Sequence, residues 1–281
     1  NGGGYDGFAL KLAPACDLLV YSTFIGAEKD DHPSSAKLSG RNTLIVAGDT
    51  DSAQFPTTSG AFQRSLHGHI DSFVLELNST GRTLLFSTYI GGYWDDYIDA
   101  IGLDKLDTIL LTGRTLSSNY PVTDSNWSIY KEPETCFISK MNSNGSALLY
   151  STFVGGGKGN AIFVSATNLV FLAGETPDAK FSVTSGAYDA AYNGQRDAFL
   201  VCIELPSVPF APTNLTCTPG NKEVRLLWGP PETGSYGNMT AYSVYRGTSP
   251  TGLSKIVDVN STSYTDKGLT NGLQYYYSIS A

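Results

Sequence analysis

Three short patterns recur in the same order along this chain, and a chain built from one repeated unit has few folds open to it. The first is Asp6-Gly-Phe8-Ala-Leu-Lys-Leu12, which returns at Asp71–Leu77, Thr135–Met141 and Asp197–Ile203. Its shared aromatic falls at Phe8, Phe73, Phe137 and Phe199. The second is Val20-Tyr-Ser-Thr-Phe-Ile-Gly26, matched by Leu85–Gly91 and Leu149–Gly155. The third is Leu44-Ile-Val-Ala-Gly48-Asp-Thr50, matched by Ile109–Thr115 and Val170–Thr176; an aromatic follows each threonine at Phe55, Tyr120 and Phe181.

Each pattern has the chemistry of a strand. Phe73, Leu75 and Leu77 alternate with Val74 and Glu76, a period of two with both faces partly buried. Asn78-Ser-Thr-Gly81 and Asn142-Ser-Asn-Gly145 supply turn residues before the Tyr-Ser-Thr strand. A weaker strand covers Asp96 to Leu103, with Ala161 to Ala166 as its counterpart. The expected class is therefore all-β, with four antiparallel strands per unit forming propeller-type blades. The units span about 6–70, 71–134 and 135–196, followed by one extra strand at 197–205. Asp51 to Ile70 is expected to be a crossover from one blade to the next.

Composition agrees. There are 30 Gly, 17 Tyr and 13 Phe against two Met, which suits turns and aromatic-rich strands better than helices. A net charge of −8 excludes the cationic surface that grips nucleic-acid phosphates. No apolar run is long enough to span a membrane. Asn1 to Tyr5 carry no visible signal peptide, which says nothing about secretion.

These residues resemble the SBBP family of β-propeller repeats. Phe55-Pro56-Thr-Thr-Ser-Gly60-Ala-Phe62 carries its Phe-Pro and Gly-Ala-aromatic segment, and Phe181–Tyr188 nearly so. The second unit departs, with Ser125-Asn126-Trp127 in place of Ser-Gly-Ala. The first has Ala27 where a second glycine belongs. The resemblance covers about Asp6 to Leu205 and implies a secreted or surface-exposed bacterial or archaeal repeat protein. It implies no catalytic residues for the repeat itself.

Residues 206–212 hold three prolines, a stiff connector. Beyond it, 213–281 is similar to a fibronectin type III domain, a two-sheet sandwich. Trp228 is its expected core tryptophan, and Leu269-Thr-Asn-Gly272-Leu-Gln-Tyr275 its expected tyrosine corner. The seventh strand, expected beside the strand through Tyr245, is absent from the sequence. Both modules thus read as incomplete. The chain is either a piece of a longer one, or neighbouring copies complete it by strand addition.

Chemistry-bearing residues are sparse. Six Asn-Xaa-Ser/Thr sequons mark candidate glycosylation at Asn78, Asn126, Asn144, Asn214, Asn238 and Asn260. Asp95, Asp96 and Asp99, with Asp104, are a weak candidate for calcium, since hard cations gather carboxylates; a solvated blade edge explains them too. His67 and His69 with Asp71 offer alternating imidazoles for a transition metal, or an unliganded loop. Ser22, Ser87 and Ser151 recur without a histidine to activate them, which marks structural positions and not nucleophiles. Cys16, Cys136, Cys202 and Cys217 allow several pairings or free thiols. No cofactor is expected.

The reading is a non-enzymatic structural or adhesive protein, extracellular or on the cell surface. It would partner copies of itself, other surface proteins or glycans, with possible assembly into a filament or lattice. The alternative is the carbohydrate-binding or spacer region of a secreted polysaccharide-degrading enzyme. Tyr93, Trp94 and Trp127 are the expected contact residues, because aromatic rings contribute strongly to interfaces and to sugar stacking; filling its blade is the alternative role for Trp127.

Overall fold

A computed structural model describes residues 3–124, 130–131, 133–167, 169–204, 212–230, 241–250 and 252–280. The chain divides into two compact units, Asn1–Leu205 and Pro206–Ala281. All regular structure in the described residues is antiparallel β; none of it is helical, so no helix here is long and apolar enough to cross a membrane.

In the first unit, β1 (Gly7–Leu12) and β2 (Leu19–Ile25) form a two-stranded sheet. Next, β3 (Asp31–Leu38), β4 (Leu44–Thr50), β5 (Asp71–Leu77) and β6 (Leu84–Ile90) form a four-stranded sheet in that order. A second four-stranded sheet holds β7 (Asp96–Leu103), β8 (Ile109–Thr115), β9 (Thr135–Met141) and β10 (Leu148–Gly156). The last is three-stranded: β11 (Lys158–Val164), β12 (Leu169–Thr176) and β13 (Asp197–Glu204).

The sheets do not coincide with the sequence units. Each four-stranded sheet takes two strands from one unit and two from the next, half a unit out of phase with the expected blades. The strand counts are accordingly two, four, four and three, not three sets of four plus one. Edge chemistry explains the phase. Residues 51–70 are not a crossover between sheets; they fold back along the outermost strand, β6. Thr58 N donates to Ser87 O at 3.0 Å and Tyr89 N to Gln63 O at 3.1 Å, so the edge of β6 is already capped. A capped edge accepts no further strand, and β7 must open a new sheet. Thr123 N repeats the device on Ser151 O of β10 at 2.8 Å.

The four sheets stack face to face. Ala9 and Ile25 pack on Val46, Phe73, Leu75 and Tyr89; Ile45, Val74 and Ile90 on Leu111, Phe137 and Phe153; Leu110, Ile138 and Val154 on Val170, Leu172 and Ile203. β5 is consequently buried at every position, on both faces. The turns lock the stack. At Gly81 (φ +68°) and Gly145 (φ +68°), an added Cβ would fall 2.4 Å from the Tyr21 ring and 2.2 Å from the Phe86 ring of the preceding sheet. Only glycine fits both the left-handed backbone and the contact.

The second unit has two three-stranded sheets. One contains β14 (Thr213–Gly220), β15 (Glu223–Gly229) and β18 (Ser263–Lys267); the other has β16 (Tyr242–Gly247) between β17 (Ser254–Val259) and β19 (Tyr276–Ser280). Trp228 is buried at the centre, edge-on to Tyr242 at 5.5 Å and clustered with Leu226, Val244 and Ile279. Arg246 Nη1 reaches both oxygens of buried Asp266 at 3.0 Å, tying the two sheets together. The Tyr275 hydroxyl accepts the Thr270 N–H at 3.2 Å, the contact expected of a tyrosine corner. One expectation fails. The strand through Tyr245 has no vacant side, because β17 and β19 pair with it on both flanks; the edges of that sheet are β17 and β19.

Candidate functional site

Two carboxylates organise the loops at one end of the β5–β8 region. Asp96 opens β7 and has no solvent contact. It accepts hydrogen bonds from Gly92 N at 2.6 Å, Ser117 Oγ at 2.9 Å and Thr115 Oγ1. Asp71 opens β5, also fully buried, and accepts from His67 N at 2.8 Å, Gly68 N at 3.1 Å and Gln63 Nε2 at 2.7 Å. The two face each other across Gly91, where an added Cβ would lie 2.5 Å from Asp71 Oδ1 and 2.9 Å from Asp96 Oδ2. Burial pushes the Asp96 carboxyl up to about 7 against these hydrogen bonds, and the Asp71 charge adds to the rise. Burial raises Asp71 as well.

The same device appears one unit earlier. Asp31 accepts from Thr50 Oγ1 at 2.5 Å, Ser52 Oγ at 3.2 Å and Ala27 N at 2.7 Å, and shares the surroundings of Gly26 with Asp6. It was legible: Asp31 follows Asp6 at the interval by which Asp96 follows Asp71, and a Thr-Xaa-Ser stands downstream of each pair. The third unit lacks it, with Thr135 and Gly157 at these places. Paired carboxylates suggest acid–base chemistry, yet these have no path to a substrate and recur as a structural part. Their work is to hold loops.

The loop held by Asp96 presents Tyr93 and Trp94 to solvent, 73% and 66% exposed. Neither backbone is slack. Tyr93 N donates to Asn119 Oδ1 at 3.0 Å and Trp94 N to Ser117 Oγ at 2.9 Å. The loop held by Asp71 lies alongside, its Gly68 against the Trp94 carbonyl. It sets out His67 and His69, both exposed, with His69 Nδ1 3.7 Å from Asp95 Oδ1.

The earlier copy of this loop shows what the scaffold requires. Glu28 and Lys29 stand where Tyr93 and Trp94 do, and Lys29 N donates to Ser52 Oγ at 2.9 Å as Trp94 N does to Ser117. The same backbone thus accepts a charged pair, so two exposed rings are not a demand of the fold.

The expected sites fare unevenly. Asp95, Asp96, Asp99 and Asp104 are not brought together. Asp95 lies beside His69, Asp99 sits at the β7 bulge 3.9 Å from Arg114, and Asp104 is in the next turn, 3.2 Å from Lys140 Nζ. Asp96 is no solvated edge residue; it is a loop anchor. Among the described residues no three of His, Cys, Asp and Glu are grouped to hold a metal ion. Asn144, Asn214 and Asn260 are exposed, whereas Asn78 is half-buried and its Oδ1 accepts from Thr80 and Arg82. Asn126, Trp127 and Asn238 lie outside the described residues. The four cysteines are free thiols; burial pushes Cys136 up to about 12. The depression at Asn193–Arg196 is polar, and Arg196 there bridges Glu134 and Glu175 at 2.6 and 2.8 Å.

Comparison with known proteins finds partial likeness. No family model matches the chain. It is 35% identical over 77 residues to an amylopullulanase of Thermoanaerobacterium saccharolyticum, covering 27% of this chain and 6% of that protein. An amylopullulanase of Thermoanaerobacterium thermosulfurigenes is 36% identical over 77 residues, covering 27% and 4%. The matched stretch is thus a small fraction of either relative. Among solved structures, domains of titin align over 99% of this chain and 94% of theirs, at a TM-score of 0.27 and 11% identity.

Proposed function

We propose that this chain is a non-catalytic accessory region of a larger extracellular protein that acts on polysaccharide. Its stacked sheets are a propeller-type segment and its second unit a fibronectin type III-like sandwich, both serving as spacers. The aromatic loop at Tyr93 and Trp94 is its polysaccharide contact. The carrying observation is that loop itself. Two rings are held out in water by three backbone anchors, at a place where the fold also accepts Glu28 and Lys29. Exposed, pre-positioned rings stack on the apolar faces of sugars at little entropic cost. Likeness to a short stretch of two amylopullulanases supports both the class of ligand and the accessory role.

Affinity electrophoresis tests this. The chain should be retarded in a gel containing pullulan, and Tyr93→Ala/Trp94→Ala should run as in a plain gel while keeping the native circular dichroism. It should release no reducing ends from pullulan; release would refute the non-catalytic part alone.

A further inference from the structure

The two carboxylates beneath the aromatic loop differ in what their partners can do. Asp71 accepts from three nitrogen donors, His67 N, Gly68 N and Gln63 Nε2, none of which can accept a proton in return. Asp96 accepts from one nitrogen, Gly92 N, and from two hydroxyls, Ser117 Oγ and Thr115 Oγ1. A hydroxyl both gives and takes, and Thr115 Oγ1 also donates to Ser117 O at 3.3 Å. A proton on Asp96 Oδ1 can thus be donated to Thr115 Oγ1 with every partner still satisfied. On hydrogen-bond chemistry alone, Asp71 is the ionised member of the pair and Asp96 the one that keeps a proton.

Both carboxyls are fully buried, and Asp71 Oδ1 and Asp96 Oδ2 lie 2.5 and 2.9 Å from one point, the place of a Cβ on Gly91. Two like charges enclosed so closely oppose each other's ionisation. The other titratable groups facing the pair are the His67 imidazole, exposed to water, and the phenols of Tyr89 and Tyr120. The acids are kept or lost together. Asp6 and Asp31 repeat them with Thr50 and Ser52, whereas the third unit has Thr135 and Gly157 instead. There the Thr135 hydroxyl accepts Lys131 N at 2.7 Å, as Asp71 accepts His67 N. Holding that loop therefore needs neither a charge nor a second acid.

We propose that the Asp71–Asp96 pair is a proton-operated latch on the two loops that carry His67, His69, Tyr93 and Trp94. With one proton on Asp96, the pair is a hydrogen-bonded clamp. When that proton leaves, the facing carboxylates repel, and the strain falls on Asp96 Oδ2, which both faces Asp71 and holds Gly92 N. Burial and the Asp71 charge place the change at about pH 7. Polysaccharide binding through Trp94 would weaken as pH rises through that point; this consequence rests on the function proposed above, and the latch itself does not.

Carbon-13 and nitrogen-15 NMR of the whole chain tests it. The Asp96 carboxyl signal should titrate at about pH 7, and backbone order at Gly92, Tyr93 and Trp94 should fall with the same midpoint while β5 and β8 stay ordered. Asp71→Asn removes the facing charge, so Asp96 should hold its proton about tenfold more weakly and both midpoints should fall together. Asp96→Asn should keep the loop equally ordered at every pH. Loop order that does not change across the Asp96 midpoint would overturn the proposal. So would an Asp96 midpoint in the ordinary aspartate range, or one that a folded Asp71→Asn variant leaves in place. The wild-type titration decides the matter by itself where a variant does not fold. Calorimetry with pullulan on both sides of the midpoint keeps the two readings apart, since binding absent at both pH values refutes the polysaccharide contact and leaves the latch standing.

Discussion

Asp96 carries the most informative single charge in the molecule. Its folded value of about 7 lies above the 3.8 of an unperturbed aspartate, so between these the folded chain keeps a proton that the unfolded chain has released. Stability from this group is therefore full only below about 3.8 and is lost progressively as pH rises from there through about 7, by about 1.4 kcal/mol per pH unit inside that window and by nothing above it. Asp31 and Asp71, also raised by burial, push in the same direction. Asp96→Asn should flatten the pH dependence of urea unfolding over that window; a slope equal to wild type would show that burial does not raise this carboxyl. Gly145 makes a second residue-level claim. A methyl there meets the Phe86 ring at 2.2 Å on a left-handed backbone, so Gly145→Ala should lose about 2–4 kcal/mol in the same assay. The Asp6/Asp31 and Asp71/Asp96 pairs were present in the sequence as equal intervals, but their burial was not. Asp96 sits in the segment Tyr93-Trp-Asp-Asp-Tyr97, and the loops of the preceding sheet, through Asp71 and Gly92, with Thr115 and Ser117 of its own, turn a surface-looking aspartate into an enclosed one.

At the scale of elements, the strands carrying the three recurring patterns were legible from period and turn chemistry; β3 (Asp31–Leu38), with Pro33 and two serines, was not, and neither was sheet membership. A repeat fixes the order of four strands but not where one sheet stops and the next begins, because any phase gives the same period. The phase depends on which strand edge is capped, and the cap comes from Thr58 and Gln63 in a stretch without strand character. The strand beside Tyr245 was misjudged for a related reason. Neighbours in a sandwich are set by how two sheets share the chain, not by order along it. The loops follow their own logic. Ser117 Oγ accepts from Trp94 N and donates to Asp96, linking the aromatic display to its anchor. Ser117→Ala should reduce stability by about 1 kcal/mol and weaken polysaccharide binding several-fold through loss of loop order, even though its hydroxyl touches no ligand. Restoration by Ser117→Thr would separate lost hydrogen bonding from a packing change.

For the molecule as a whole, the small share of charged residues, 16% of the chain, acquires a physical role. A sparsely charged surface suits the proposed contact with an uncharged polymer, which a strongly charged one would oppose. The carboxylates that face each other, Asp71 and Asp96, do so beneath the loops. The proposed polysaccharide contact is made by rings, Trp94 and Tyr93, and not by reactive groups. Titration calorimetry of the chain with pullulan, beside Trp94→Ala, tests it most directly. The expected result is saturable binding by wild type that weakens at least tenfold in the variant, about 1.4 kcal/mol, with thermal unfolding unchanged. No heat of binding with wild type, or equal affinity in the variant, would contradict it.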